Sequence, residues 1–282
     1  MFVSVIIPTF NDWARLSLCL EALQSQTYPQ NMFEIFVVNN NPDDSIPEGF
    51  VVPANCTILV EAKPGSYAAR NKGLQHTRGN LIGFTDSDCI PDKNWIINAV
   101  AFLDKYPEYT RIAGKIELFY KGTQLTDAEL YEKAYAFKQD FAASIGVSVT
   151  GNMFAYQYIF DQVGNFREDL FSGGDSEWSL RANRAGYKIS YGKDVIVNHP
   201  ARYAMAELDK KYRRTAGLNG KNKVKAIARF FKYAIPPVNT LLHGTGLTLP
   251  EKLKLFMIRY RLHMIRSIEE VRLSFGKSAN RE

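Results

Sequence analysis

The sequence predicts an α/β protein built on a mostly parallel central sheet with helices on both faces. Three observations carry this. Short apolar, β-branched runs end in turn residues. Stretches with helical spacing alternate with them. The runs are also too apolar for either of their faces to meet water.

Phe2 to Pro8 is the first such run, a buried strand by length and β-branching. Asn11 or Asp12 can cap the helix that follows, in which Trp13, Leu16, Leu20 and Leu23 recur at helical spacing. Phe33 to Val38 is the second strand, stopped by Asn39-Asn40-Asn41-Pro42. Thr57 to Val60 is the third. After Pro64-Gly65 a helix covers Ser66 to Thr77. Leu81 to Phe84 is the fourth strand and runs into Thr85-Asp86-Ser87-Asp88; Trp95 to Leu103 is a helix.

The middle of the chain is less regular. Ile112 to Phe119 reads as a strand, and Asp127 to Ala143 as one helix with Leu130, Ala134 and Phe137 on one face. Ser176 to Ala185 reads as a helix closed by Gly186. Lys188 to Val197 reads as two short strands around Gly192-Lys193-Asp194. Past Ala201 come basic helices, broken by Pro236-Pro237 and by the Gly244/Gly246/Pro250 stretch. The expected organisation is an α/β domain over residues 1–201 and a basic helical region over 202–282.

Composition bounds the function. At 282 residues and 46% apolar, the chain has room for one large domain or a domain with an appendage. Cys19, Cys56 and Cys89 are odd in number and widely spaced, which argues against a disulfide framework or a zinc site and fits a reducing, cytoplasmic setting. No basic segment or small-residue cleavage site opens the chain, so no signal peptide is expected. No apolar run reaches the ~20 residues that span a bilayer. Residues 202–282 carry 18 Lys+Arg against 6 Asp+Glu, a net of +12, while residues 1–201 carry a net of −6. The basic end calls for an anionic partner: a membrane surface, a nucleic acid or a phosphorylated substrate.

Four segments have chemistry to offer. Asp86 and Asp88 follow an apolar strand, at the sheet edge where open α/β sheets bind ligands. Two carboxylates one residue apart suit a hard divalent cation with phosphate oxygens; a solvated turn is the plain alternative. In Gly173-Gly174-Asp175-Ser176-Glu177-Trp178, Asp175 is either a helix cap or a general base. His199, at the end of an apolar strand, is either structural or a metal ligand. Gly65 to Gly73 is a loop-to-helix entry in which Arg70 can fork a phosphate or simply lie at the surface.

In order and spacing these elements resemble the family 2 glycosyltransferases of the GT-A fold, from Val3 to about His199. The resemblance rests on Val5-Ile6-Ile7-Pro8-Thr9-Phe10-Asn11, Gln26-Thr27-Tyr28, Glu34 to Val38, Ala69-Arg70-Asn71-Lys72-Gly73, Thr85 to Asp88 followed by Pro91, Gly151-Asn152-Met153, and Gly173 to Arg181. It implies an inverting transferase that takes one sugar from a nucleotide-sugar, by default a UDP-sugar. The acceptor would be a hydroxyl of a glycan or lipid-linked molecule. Pro8, Thr9, Asn11, Asn39, Arg70 and Asp86 would bind the nucleotide-sugar. Asp88 and His199 would hold Mg²⁺ or Mn²⁺, Asp175 would be the base, and Gly151, Asn152, Glu177 and Trp178 would border the acceptor. Two departures stand out. Asn39-Asn40-Asn41 replaces the acidic residues after the second strand, and Gly174 replaces the acidic residue often found before the base. A sugar nucleotidyltransferase and a non-catalytic scaffold are the rival readings.

For the basic end, Ile227, Phe230 and Phe231 are followed by Ile235, Leu241 and Leu242; later, Leu253, Phe256, Met257, Tyr260, Leu262 and Ile265 mix with Lys252, Lys254, Arg259, Arg261 and Arg266. This pattern fits docking to the anionic inner face of a membrane, or a helical lid. Nucleic acid is not the expected partner, since no recognised module accompanies the charge.

Overall fold

The computed structural model describes residues 1–170, 172–216, 223–238 and 248–276. The chain divides into two compact units. One comprises Met1–Leu118, Phe137–Asp169 and Gly174–Pro200; the other comprises Phe119–Ala136, Leu170–Gly173 and Ala201–Glu282. The second unit thus takes in residues from the middle of the chain as well as its basic end.

The sheet has a parallel half made of β1 (Val3–Thr9), β2 (Phe33–Asn39), β3 (Cys56–Val60) and β4 (Leu81–Thr85). It continues through β5 (Ile90–Pro91), β6 (Arg111–Phe119), β7 (Asn152–Tyr156) and β8 (Ile189–Pro200). The strand order is β3-β2-β1-β4-β7-β6-β8-β5. The β4–β7, β6–β7 and β5–β8 ladders are antiparallel, so the sheet is mixed: its parallel character belongs to the first four strands.

Helices cover both faces. Val3, Val5 and Ile7 face Leu16, Leu20 and Leu23 of α1 (Trp13–Gln24) and share a core with α3 (Trp95–Lys105). Ile6 points the other way, toward α2 (Ser66–Leu74). There a Cβ on Gly73 would lie 2.7 Å from the Ile6 side chain, so only glycine allows this approach. With both faces covered, every residue of β1 and β2 is buried.

Several local expectations are revised. Neither Asn11 nor Asp12 caps α1 through its side chain. Asn11 adopts φ 53°, and the Asp12 carboxylate accepts from Arg15 Nε at 2.7 Å and Ser87 Oγ at 3.1 Å. The helix from Ser66 stops at Leu74, short of Thr77. The single helix expected over Asp127–Ala143 is two, α4 (Asp127–Tyr135) and α5 (Gln139–Ser144). Between them Phe137 has φ 48°, which no right-handed helix accommodates, and its ring leaves the face it was expected to share with Leu130. The two strands expected over Lys188–Val197 are the single strand β8. Gly192 is no turn there; a Cβ on it would meet Ile112 at 2.6 Å.

After α6 (Gln157–Val163), α7 (Gly174–Arg184) is tied to the sheet by Arg111 at the start of β6. This fully buried guanidinium donates to the Tyr187 carbonyl at 2.7 Å and the Ser179 carbonyl at 3.1 Å. Burial pulls its pKa down to about 10. The carbonyl end of α7 is thus fixed on the sheet, which fixes where its amino end lies.

The second unit adds α8 (Met205–Ala216), α9 (Lys223–Ala234) and α10 (Leu249–Ser274) to α4. Ala128, Leu130 and Tyr131 of α4 pack with Leu208, Leu255, Ile258 and Leu262. Leu241, Leu242, Gly244 and Gly246 lie outside the described residues. No helix among the described residues is long and apolar enough to cross a membrane.

Candidate active site

β1 and β4 run parallel, so their carboxyl ends share one edge of the sheet. Thr9 closes β1, and Asp86 and Asp88 follow β4. Asp86 pairs with Arg70 of α2, a guanidinium only 4% exposed that also sits 5.6 Å over the Tyr67 ring. Arg70 Nε and Thr9 Oγ1 are buried with no hydrogen-bond partner. A buried polar group without a partner costs about 1–3 kcal/mol, so two at one sheet edge mark a place built for a ligand.

Asp88 meets His199, at the end of β8, with 3.6 Å between its Oδ2 and Nε2. His199 is 5% exposed, and its Nδ1 lies 2.7 Å from the Pro200 carbonyl. A carbonyl only accepts, so Nδ1 carries the hydrogen, and in the neutral ring Nε2 presents a lone pair toward the carboxylate. Two acceptors turned on one another suit a cation between them. Arg15 Nη1 also lies 3.5 Å from Asp88 Oδ2. Phe137 packs on the His199 ring at 4.7 Å between centroids and fixes its plane.

Asp88, Cys89 and His199 bring ligand atoms within 4.8 Å of one another. Burial, and after it the Asp86 and Asp88 carboxylates, push the Cys89 thiol well up. It stays protonated and is a poor ligand. The donor set that remains, one carboxylate and one imidazole nitrogen, fits a divalent ion that keeps positions for water and phosphate oxygens.

Asp175 lies in the first turn of α7, not ahead of it, so it is not the helix cap. Its Oδ1 accepts from the Ser176 N–H at 2.8 Å and from the Tyr67 hydroxyl at 3.2 Å. Burial pushes the Asp175 carboxyl up; the Ser176 N–H, the Arg70 charge and the Tyr67 hydroxyl pull part of that back. Burial likewise raises Tyr67, which stays a donor. Gly174 explains the departure noted in the sequence: a Cβ there would lie 2.7 Å from the Tyr67 ring, so a larger residue would push Tyr67 off Asp175.

Thr9, Arg70, Asp86, Asp88, Asp175 and His199 therefore belong to the first unit, linked by Tyr67 and Arg70 in one case and by Asp88 in the other. Pro8 is buried in β1 beside Thr9. Gly151 also belongs here, since a Cβ on it would lie 3.3 Å from the Asp86 carboxylate. Asn11 is exposed, and its Oδ1 accepts from Asn41 Nδ2 at 2.8 Å.

Other expected positions are occupied differently. Trp178 is fully buried, stacked on Phe160 at 4.3 Å, with Nε1 bonded to the Gly164 carbonyl at 2.9 Å; it is a core residue and cannot border an acceptor. Asn152 is fully buried too. It accepts from Trp95 Nε1 at 2.9 Å and donates to the Lys115 and Val195 carbonyls at 2.8 and 2.9 Å, leaving nothing for an acceptor. Glu177 pairs with Arg181 one turn along α7 at 2.8 Å. Asn39 is buried beside Thr9 in register, with its amide committed to its own loop: Nδ2 to the Asp44 carbonyl at 2.7 Å, Oδ1 from the Asn41 N–H at 3.0 Å.

Tyr67, Arg15 and Phe137 were not singled out from the sequence. Tyr67 had a signal: it precedes Arg70 by three residues, on the same helical face. Phe137 had none, since its position depends on a helix break.

A family model described as glycosyl transferase family 2 matches residues 4–162. Glycosyltransferase AglE of Haloferax volcanii is 36% identical over 218 residues, 75% of this chain and 71% of that protein. The dolichyl N-acetyl-alpha-D-glucosaminyl phosphate 3-beta-D-2,3-diacetamido-2,3-dideoxy-beta-D-glucuronosyltransferase of Methanococcus voltae is 21% identical over 226 residues, 74% of this chain and 70% of its own. Among solved structures, the mannosyltransferase PcManGT of Pyrobaculum calidifontis with GDP-Man and Mn²⁺ aligns with a TM-score of 0.59 at 17% identity, covering 99% of this chain and 76% of that one. S. aureus TarS 1–349 with UDP aligns at 0.54 and 19% identity, covering 99% and 93%. The family match over more than half the chain, the AglE likeness and the shared GT-A fold agree: the chain belongs to glycosyl transferase family 2 and is a glycosyltransferase.

Proposed function

We propose that this glycosyltransferase is inverting and metal-dependent, moving one sugar from a nucleotide-sugar to a hydroxyl of a glycan or lipid-linked acceptor in cell-surface polysaccharide synthesis. The observation that carries the reading is the facing of Asp88 Oδ2 and His199 Nε2 at 3.6 Å, with His199 Nδ1 already bonded to a carbonyl. Asp88 and His199 would hold Mg²⁺ or Mn²⁺. A divalent ion there supplies positive charge against the diphosphate that departs.

The chain's own groups do the rest. Thr9 Oγ1 and Arg70 Nε, both without partners, take up the nucleotide-sugar, and Asp86 holds Arg70 in position. Asp175 accepts the acceptor's hydroxyl proton, and its raised pKa strengthens it as a base. Tyr67 keeps that carboxylate oriented. The acceptor oxygen bonds to the anomeric carbon as the bond to the diphosphate oxygen breaks. The electron pair leaves with the nucleoside diphosphate, and attack from the opposite face inverts the configuration.

A UDP-sugar is the default donor; the solved relatives hold UDP and GDP-Man, so both bases belong in the test. The lipid-linked acceptor draws support from the dolichyl phosphate in the name of the Methanococcus voltae enzyme. It would bring the basic residues 202–282 to an anionic membrane.

A thermal-shift panel of UDP, GDP, dTDP and their sugars, each with Mn²⁺, Mg²⁺ or EDTA, tests the donor site. A nucleotide at 100 times its dissociation constant should stabilise the fold by ~2.7 kcal/mol, with metal required. No shift from any nucleotide under any metal condition would sink the donor and metal site proposed for Thr9, Arg70, Asp88 and His199.

A further inference from the structure

We infer that α9 docks the second unit onto an anionic lipid bilayer, lying in the interface with Val224, Ile227, Phe231 and Ile235 turned toward the acyl chains. The inference deepens the proposed lipid-linked acceptor. Its test reads binding without turnover, so either can fail alone.

A helix on a globular unit normally turns its apolar stripe inward. Here the arrangement is reversed. Val224, Ile227, Phe231 and Ile235 fall at i, i+3, i+7 and i+11, and are 77%, 40%, 66% and 69% exposed. The opposite side faces α10: Ala226 is buried, Arg229 pairs with Glu270 at 2.6 Å, and the Tyr233 ring lies 5.1 Å from His263. Polar and aromatic anchors hold the helix down, and the aliphatic and phenyl groups stand out of it. Val238, just past Pro236-Pro237, is 63% exposed.

The charge selects the occupant. α9 carries four basic residues and no acidic one, and Lys225 and Lys232 are exposed beside the stripe. Residues 202–282 carry a net +12. A second copy bringing the same charge would be repelled, and a nucleic acid would leave the apolar stripe in water. An anionic bilayer answers both features at once: headgroups meet the lysines and acyl chains meet Ile227 and Phe231.

Flotation of the full chain with vesicles tests this, using phosphatidylcholine with or without roughly one-third phosphatidylglycerol at about 0.15 M salt. The chain should float with the anionic vesicles and far less with the neutral ones. Lys225→Gln with Lys232→Gln should weaken binding about 25-fold, from about fivefold per lysine. Ile227→Ser with Phe231→Ser should abolish flotation while nucleotide-induced thermal stabilisation persists. Should that variant fail to fold, Phe231→Trp serves instead, and its emission should shift to the blue on adding anionic vesicles. Failure of the unmodified chain to float, flotation undiminished in the serine variant, or a tryptophan emission that does not move would each overturn the inference. So would sedimentation showing a dimer that the serine variant dissolves, since the face would then belong to a second copy.

Discussion

Three buried glutamates of the second unit are held differently from Asp88 of the first. In the second, Glu132, Glu269 and Glu270 are at most 4% exposed, and two cations hold each of them. Glu132 has Arg202 at 2.6 Å and Lys211 at 3.1 Å; Glu270 has Arg229 at 2.6 Å and Arg266 at 3.2 Å; Glu269 has Arg272 at 2.5 Å and Arg213 at 3.9 Å. In the first, the Asp88 carboxylate is 21% exposed and meets Arg15 Nη1 at 3.5 Å and His199 Nε2 at 3.6 Å. Neutralised carboxylates brace helices, whereas a loosely held one at a strand end is available to a ligand.

The largest expected effect is on turnover. Asp175→Asn should lower kcat by at least about 100-fold, the ordinary contribution of a general base, with nucleotide-induced stabilisation retained. A rate within a few-fold of the unmodified enzyme would remove Asp175 from the chemistry.

Next comes a paired measurement that tests the comparison itself. Glu132→Ala leaves Arg202 and Lys211 without their carboxylate and should cost about 3 kcal/mol in denaturant unfolding. Asp88→Ala should leave stability within about 0.5 kcal/mol and abolish metal-dependent nucleotide binding. Equal destabilisation by the two would erase the distinction between bracing and binding carboxylates.

Acid should separate the units as well. Burial alone would raise the Glu132 carboxyl, but Lys211 and Arg202 together hold it below the usual range. Its contribution is therefore present above the unfolded pKa and is lost as pH falls through the folded one. Burial, then Arg259 and Arg266, lower His263 to about 4, so stability also declines as pH falls from the ordinary histidine value toward 4. Asp175 has the opposite sign: its folded pKa is raised, so protonation favours the folded first unit. Acid unfolding followed by hydrogen exchange should show α4, α8 and α10 opening before β1 and β2. The reverse order would contradict this account.

The smallest expected effect is a displacement of the pH profile. Tyr67→Phe removes a donor that favours ionised Asp175, so its pKa rises and the acid limb of kcat/KM moves to higher pH. Loss of rate at every pH with the limb unmoved would make Tyr67 merely structural.

How much of this the sequence determines depends on how local the cause is. The run of β1, the turn after β2, the entry to α2 and Asp86-Ser87-Asp88 after β4 are set by period, β-branching and turn chemistry, and all of them form. The same local rules misplace Phe137, because a helix break shows no period, and Gly192, because glycine in a strand and glycine in a turn look alike. At the site, residue types and order single out Asp88, His199 and Asp175, but not what surrounds them. That Trp178 and Asn152 are core, that Tyr67 reaches Asp175 across Gly174, and that His199 turns Nε2 toward Asp88 each depend on groups distant along the chain. Period and composition are properties of neighbouring residues, and the sequence determines them by itself. Which buried polar atom finds a partner, and which is left for a ligand, is decided only when the sheet brings its strand ends to one edge.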